Sequence, residues 1–462
     1  MDSIFTLVKA GSFAKRLTAV TAVCALLSQT EIKAQEKITL QQAVEYTLKN
    51  NLQIKQAALG EALTEESLKL SKLALYPTLN ASNNLNFSFG RSEDPTTRQF
   101  ANTQITNLNS SVSSNVTLFQ GFQKLNQIAQ NKYQLEADKS YTNKIKNDLL
   151  LLVVSTYLQV LVNTDLLTAA QQQLGYSNQQ MDRVQKLFDV GNNTTADLSQ
   201  AKSQVATADL NVINAQNQLD ISYLNLAQLM ERDPAQRFQV VLPAVEVGAI
   251  NTNLDPVQLF IRSAEIYPDI KLAGYNRLVA EKSVEIARGS YLPRLTLGGN
   301  LSSGYSDSRR RLNPVTNTLE DYPFINQYQD NFSQSIGLSL AIPIFNGSSA
   351  RIGVRRAKIN LQNAVIAEQL QKNNLNKTIN QAVLDLRAAE KSYYSSQSAF
   401  SSSQDAFNAT QQRYTVGLVN SLDFNQAQIN LNTAQFNLIQ AKYNLIFRNK
   451  VIDYYLGNPL TF

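Results

Sequence analysis

Between Pro77 and Gly121 apolar and polar residues alternate with a period of two. Leu79, Ala81, Leu85, Phe87 and Phe89 fall on one face, and Asn80, Ser82, Asn84, Asn86 and Ser88 on the other. A returning run sets Val112, Val116 and Leu118 against Ser111, Ser113, Asn115 and Thr117. Later, Leu295, Leu297, Leu301 and Tyr305 alternate with Thr296, Gly298, Asn300 and Ser302, and Ile336, Leu338, Leu340, Ile342 and Ile344 alternate with small polar residues. The alternation predicts four strands, about 79–90, 110–119, 295–305 and 333–344. No further strand run is evident. Each is close to the 9–11 residues with which a tilted strand crosses a bilayer, and one greasy face with one small-polar face is the pattern of a transmembrane barrel strand.

Elsewhere the period is helical. From Phe122 to about Asp189 there is no proline and only one glycine, Gly175, in a stretch rich in Ala, Leu, Gln, Asn and Lys. This predicts a helix about 100 Å long at 1.5 Å per residue, too long for a globular domain and suited to a coiled-coil scaffold. Further on, Ala201, Val205, Ala208, Val212, Ala215, Leu219, Ser222, Leu226 and Leu229 follow alternating steps of four and three. Ala427, Leu431, Ala434, Leu438, Ala441, Leu445, Arg448, Ile452 and Tyr455 do the same. That spacing is the seam of a left-handed coiled coil. The wider apolar band Leu149–Val154, continuing to Val162, is broken by Gln159 and Asn163 before it reaches spanning length; it reads as a helix with neighbours on two sides. Pro77 and Pro293 end the entering helices, Gly121 and Gly347 mark the return to helix, and polar loops (91–109 and 306–331) join the strands.

The two halves repeat each other. Phe188-Asp189-Val190-Gly191, Asp197 and Ala201 recur 226 positions later as Tyr414-Thr415-Val416-Gly417, Asp423 and Ala427. The same offset relates Phe119 and Gly121 to Phe345 and Gly347. Upstream it is 216, relating Ile54 to Ile270 and Pro77 to Pro293, so the second copy carries ten extra residues between its proline and its Phe-x-Gly. Duplication fixes the architecture before any local assignment. The organisation expected is a leader (1–34), a first repeat (35–232), a linker (233–253), a second repeat (254–457) and a short tail (458–462). The fold class expected is mainly α with transmembrane β.

A barrel in lipid must close, because an open edge leaves unpaired backbone groups in hydrocarbon. Four strands cannot close, since single-chain barrels begin at about eight. Two, three or four copies of the chain would supply 8, 12 or 16 strands, and the strand count alone does not choose among them.

Composition narrows the chemistry. Lys9, Lys15 and Arg16 precede an apolar stretch from Leu17 to Leu27, which reads as a secretory signal. The only cysteine, Cys24, lies inside it, so the exported chain has neither disulfide nor thiol chemistry. There is no histidine, which removes the commonest general base and metal ligand. No phosphate-binding loop or nucleophile-with-base constellation shows, so the expectation is no enzyme and no cofactor. The net charge of +6 is small and scattered, which argues against nucleic acid. The one basic run, Arg309–Arg311, sits in a loop.

The order helix, strand, strand, long helix, Val-Gly turn, Asp, heptad helix, duplicated, resembles the outer-membrane efflux protein family. Arg413-Tyr414-Thr415-Val416-Gly417-Leu418, followed by Leu422-Asp423 and Ala427-Gln428, matches that family's Tyr-x-x-Gly…Asp…Ala-Gln signature. The resemblance implies a homotrimer with a 12-stranded barrel in outer-membrane lipid, continued by a 12-helix tunnel across the periplasm. It also implies passive conduction, with a periplasmic adaptor protein joining the tunnel to a proton-driven or ATP-driven inner-membrane pump. Val190, Gly191, Val416, Gly417 and Leu418 would then form adaptor-docking tips; the plainer reading is a helix stop. Asp197, Asp423 and Gln426 would lie at the tunnel's gate. Acidic residues in a first helical turn are also favourable for local reasons. Some family members carry a second Asp at the position of Gln426 and an Arg at that of Val419. The alternative from another class is a periplasmic coiled-coil scaffold or adaptor that forms no pore. Cargo, whether small molecules or polypeptides, stays open.

Overall fold

The computed structural model describes residues 36–93, 98–236, 238–241 and 251–458. The expected leader, part of the linker (237 and 242–250), a few loop positions (94–97) and residues 459–462 of the tail lie outside them. The first copy comprises β1 (Glu36–Ile38), α1 (Leu40–Asn50), α2 (Leu52–Leu73), β2 (Thr78–Glu93), β3 (Phe100–Gln120), α3 (Gln123–Asp189), α4 (Thr195–Leu229) and β4 (Phe238–Val240). The second comprises α5 (Pro256–Ile266), α6 (Pro268–Gly289), β5 (Arg294–Ser306), β6 (Arg310–Leu312), β7 (Leu319–Asp321), α7 (Phe324–Asp330), β8 (Ser333–Ala341), α8 (Ser349–Thr415) and α9 (Ser421–Leu456).

The helices run to the length that their breaker-free sequence allows. α3 and α8 each have 67 residues, about 100 Å. Each starts from a pair of left-handed residues, Gly121-Phe122 and Gly347-Ser348, where the strand path turns into the helix. α3 packs on α4 and α8 on α9 as antiparallel pairs, while α2, α3, α6 and α8 stand side by side nearer the strands. The heptad positions Ala201, Ala208, Leu219 and Leu226, and Leu431, Ala434, Leu445 and Ile452, are buried in these pairings. Arg448, the polar intruder on the second seam, pairs with Asp385 at 3.0 Å.

The duplication extends into the cores. Val153 and Val160 are buried in one cluster, with Ile38, Leu226 and Phe238; their repeat equivalents Ile379 and Leu386 are buried in another, with Leu259, Leu445 and Ile452. Composition alone would let part of α3 pass for a membrane span, but Val153, Val154, Leu158, Val160 and Leu161 are all buried against protein. Here the first copy has something extra. β1 and β4 pair in parallel, and the Tyr157 hydroxyl donates to Val241 O (2.7 Å) and Ile38 O (3.1 Å). Burial pushes that phenol up to about 12, so it stays a donor at any physiological pH. A pair of three-residue strands is too short to announce itself by alternation.

The four expected strands form one antiparallel sheet in the order β2-β3-β5-β8. Leu79, Leu85 and Phe89 of β2 share their face with Val112 of β3 and Leu301 of β5. β8 stops at Ala341 rather than continuing through Ile344, because Pro343 has no N–H to give to a ladder. Neither outer edge, that of β2 or of β8, is paired among the described residues.

The ten extra residues of the second copy fall in the connection that builds β6, β7 and α7. Beyond Ser302 the edge of β5 runs out of partner, and α7 takes over. The Gln327 amide, fully buried, accepts from Ser306 N (3.0 Å) and donates to Ser306 O (2.9 Å), and Asn331 donates to Gly304 O (2.7 Å). Two side chains thus satisfy backbone groups that a longer β8 would have met, which blunts that stretch of edge. Phe324 meets Tyr305 edge-on and stacks on Tyr328, which fixes α7 on the sheet.

Candidate functional site

The two long hairpins reverse at the end far from the sheet, and both do so in the same way. Gly191 N donates to Phe188 O (2.9 Å) and Asn192 N to Leu187 O (2.8 Å); Gly417 N donates to Tyr414 O (3.1 Å) and Leu418 N to Arg413 O (2.9 Å). This paired 5→2 and 6→1 pattern satisfies the last carbonyls of each helix and requires a left-handed residue after the cap. The glycines supply it, at φ +82° and +80°. Val190, Val416 and Leu418 are each about 70% exposed, so the tips present apolar side chains to solvent on a stiff turn.

The returning helices are capped at matching positions but with different chemistry. Thr194 and Asp197 form a reciprocal box: Thr194 N (3.0 Å) and Oγ1 (2.7 Å) donate to Asp197 Oδ2, while Asp197 N donates to Thr194 Oγ1 at 3.2 Å. The hydrogen bonds from Thr194 hold the Asp197 carboxyl below its ordinary range. In the second copy Asn420 replaces Thr194, and its Oδ1 accepts from Asp423 N at 2.8 Å. The Asp423 carboxylate takes no part in the cap and is exposed, with no partner among the described residues. Gln426 donates to Asn430 one turn on (3.0 Å).

The two tips are joined by Gln180 and Arg183, which the local sequence did not single out. Gln180 of α3 donates to the Tyr414 hydroxyl at 2.6 Å, and Arg183 donates to Thr415 O at 2.9 Å while its guanidinium lies 5.1 Å from the centre of the Tyr414 ring. Tyr414 in turn stacks on Phe424 (4.6 Å), which packs with Phe407 and Leu431. Between the tips is a polar crevice of about 260 Å³ lined by Gln180, Asp197, Gln200, Tyr414, Val419 and Asn425, among others. Of the three expected gate residues the structure brings only Asp197 to this crevice; Asp423 and Gln426 are not in its lining. The clue was in the repeat. Where the first copy has Gln180 and Arg183 the second has Ala406 and Ala409, and where the second has Tyr414 the first has Phe188. Three of the positions at which the copies differ are the three that meet.

Among the described residues no cluster of His, Cys, Asp or Glu is arranged to hold a metal ion. The model of the family described as outer membrane efflux protein matches residues 43–231 and 263–458. The chain is similar to outer membrane efflux protein BepC of Brucella suis biovar 1 (strain 1330), at 23% identity over 411 residues, covering 88% of this chain and 83% of that one. It is also similar to the proteases secretion protein PrtF of Dickeya chrysanthemi, at 22% identity over 328 residues, 69% of this chain and 66% of that one. Among solved structures, that of CusC, reported with the conformational changes accompanying folding and transmembrane channel formation, superimposes with a TM-score of 0.76 at 16% identity, covering 91% of this chain and 92% of that one.

Proposed function

Because the chain belongs to the outer membrane efflux protein family, we propose that three copies close their sheets into one 12-stranded barrel and form a passive exit duct. It would conduct substrates handed over by a periplasmic adaptor and an inner-membrane pump. The observation that carries this reading is the sheet itself. Both of its edges are open, and Leu79, Phe89, Ile336 and Leu338 are between 64 and 81% exposed. A soluble protein does not leave such a surface bare, and a strand edge in lipid must find a partner. The scaffold alternative gives these residues nothing to do. The test is fractionation of the mature protein followed by planar-bilayer recording. Outer-membrane recovery with discrete conductance steps supports the duct, and a water-soluble monomer overturns it. Cargo follows the pump: relatives are named for efflux and for protease secretion, and both cargo classes are compatible with an unpowered duct.

In this reading the tips are the gate and the docking point. Three copies of Asp423 place three exposed carboxylates where the tunnel narrows, favouring cations as charged rings do in channels. Asp423→Ala is therefore expected to lower the cation-over-anion permeability ratio, read from reversal potentials in a salt gradient. An unchanged ratio would assign Asp423 to the first turn of its helix only.

The apolar tips Val190, Val416 and Leu418 are the surface offered to the adaptor. Nothing lies within 4 Å of a Cβ added at Gly417, so the side chain of Gly417→Leu starts from open space, at a left-handed strain of about 1–2 kcal/mol. Adaptor capture by the purified trimer is expected to drop while trimer yield holds. Loss of the trimer instead would make this glycine structural.

A further inference from the structure

The connection enlarged in the second copy lays α7 against the apolar face of the sheet. On β5 that face carries Leu295, Leu297, Leu301 and, at its upper end, Tyr305. Leu301 pairs across with Val112 and Tyr305 with Leu108, which itself pairs with Leu85. Phe324 of α7 meets the Tyr305 ring with 5.1 Å between centres. The hydroxyl of Ser303, two residues before Tyr305 and so on the same face, donates to Tyr328 O. The other face of β5, with Asn300, Ser302 and Gly304, is the small-polar one that a barrel turns to its lumen. α7 therefore lies outside the wall and not over its mouth.

The strand sets the height of α7 on that wall. The ten steps from Leu295 to Tyr305 make about 33 Å of strand at about 3.3 Å per residue. Tilted by about 40°, they rise about 25 Å, the height of the apolar band of an outer-membrane barrel. Tyr305 thus stands at the upper rim of the band, where such barrels carry aromatic residues. α7 has the makeup of that boundary. Phe324, Ile325 and Tyr328 share one side of the helix and Phe332 follows its end, while Asn326 and Asp330 fall on the other side. Phe324, Ile325 and Phe332 are 46, 59 and 57% exposed. The backbone beside them is already satisfied by Gln327 and Asn331, as the margin of a hydrocarbon layer requires.

We propose that α7 and Phe332 form a foot seated in the lipid–water boundary of the outer leaflet, with Phe324, Ile325, Tyr328 and Phe332 among the headgroups and first acyl carbons. This rests on the barrel proposed above and adds a lipid contact outside its wall. Continuity decides the occupant. The exposed side chains of α7 prolong the face that carries Leu79, Leu301 and Ile336, all of them exposed, so the medium that covers that face covers α7 as well. Rings with a polar or stacked edge are the side chains that settle at such a boundary. The enlarged connection then adds hold on the membrane without narrowing the exit.

A single added tryptophan reads this without background, because the chain has none. Ile325→Trp and Phe332→Trp report on the foot, Leu338→Trp on the apolar face of β8, and Val190→Trp on water at the far tip. Each full-length variant, checked for the native mass of the unsubstituted protein, is reconstituted into phosphatidylcholine vesicles with plain or brominated acyl chains. Bromine quenches only rings that touch lipid. Loss of emission in the brominated vesicles, with a blue shift, is expected for both foot reporters and for Leu338→Trp, and no loss for Val190→Trp. A foot reporter at either position that behaves like Val190→Trp while Leu338→Trp is quenched puts α7 in water, which overturns the foot and leaves the barrel standing. Emission that neither brominated lipid nor aqueous iodide quenches means that protein covers α7, in the same chain or a second copy, and overturns the foot as well. No lipid quenching at Leu338→Trp overturns the barrel, and the foot with it.

Discussion

Gly121→Ala is expected to abolish assembly of the proposed trimer, while Gly347→Ala at the equivalent position of the second copy leaves most of it. Both glycines sit at the strand-to-helix turn with φ of +54° and +62°, so alanine pays the same left-handed cost at each, about 1–2 kcal/mol. Their surroundings differ. A Cβ on Gly121 would lie 2.3 Å from the carbonyl oxygen of Gly289 and 2.9 Å from Leu292 Cβ, whereas one on Gly347 meets nothing within 4 Å in the chain. The obstruction at Gly121 is backbone and cannot swing aside, so the α3–α6 crossing must part. Adding overpacking of about 1–3 kcal/mol brings the total to roughly 2–5 kcal/mol, a large share of the 5–15 kcal/mol that typically holds a fold. Thermal unfolding followed by circular dichroism, with gels of unheated samples, separates the two. Equal losses at both glycines would mean that the Gly121–Gly289 contact does not hold the junction.

The second large effect belongs to the tips. Gln180→Ala combined with Arg183→Ala is expected to raise conductance in planar bilayers without changing trimer yield. The pair removes two hydrogen bonds, each worth about 0.5–1.5 kcal/mol net, and a cation–π contact of about 0.5–1 kcal/mol at an exposed site. Even roughly 2 kcal/mol per chain shifts an equilibrium more than tenfold, and each of three chains contributes. The bonds tie α3 to the end of α8, so losing them frees one hairpin from the other while the packing of Val184 with Leu198, and of Phe407 with Phe424, keeps each hairpin intact. Tyr414→Phe removes only the Gln180 bond and is expected to give an intermediate record. Wild-type conductance from an intact Gln180→Ala/Arg183→Ala trimer would remove this junction from the gate.

What the sequence displayed was whatever repeats at short range. The period of two over Leu79–Phe89, the breaker-free run to Asp189 and the Val-Gly turns were legible because each is a local backbone requirement. The edge cap of Gln327 and Asn331 was not, since one amide in a polar loop looks like any other until the strand it completes is in place. The Gln180–Tyr414 bond joins residues more than two hundred positions apart, and no periodicity carries such a pairing. Asp197 and Asp423 occupied equal positions in the sequence. The cap residue in front of each, Thr194 or Asn420, decides that one carboxylate closes its own helix and the other is left to solvent.

The open flanks of β2 and β8 also bear on inheritance. Every junction of the proposed three-chain ring needs one flank from each of two neighbours, so a single faulty copy would leave a gap that its two sound companions cannot seal. A cell making healthy and defective chains in equal amounts would build only about one wholly healthy ring in eight by random mixing of three. Damage confined to either flank, such as a proline in β8, would therefore behave as a dominant poison, whereas loss of the whole gene would merely halve the supply.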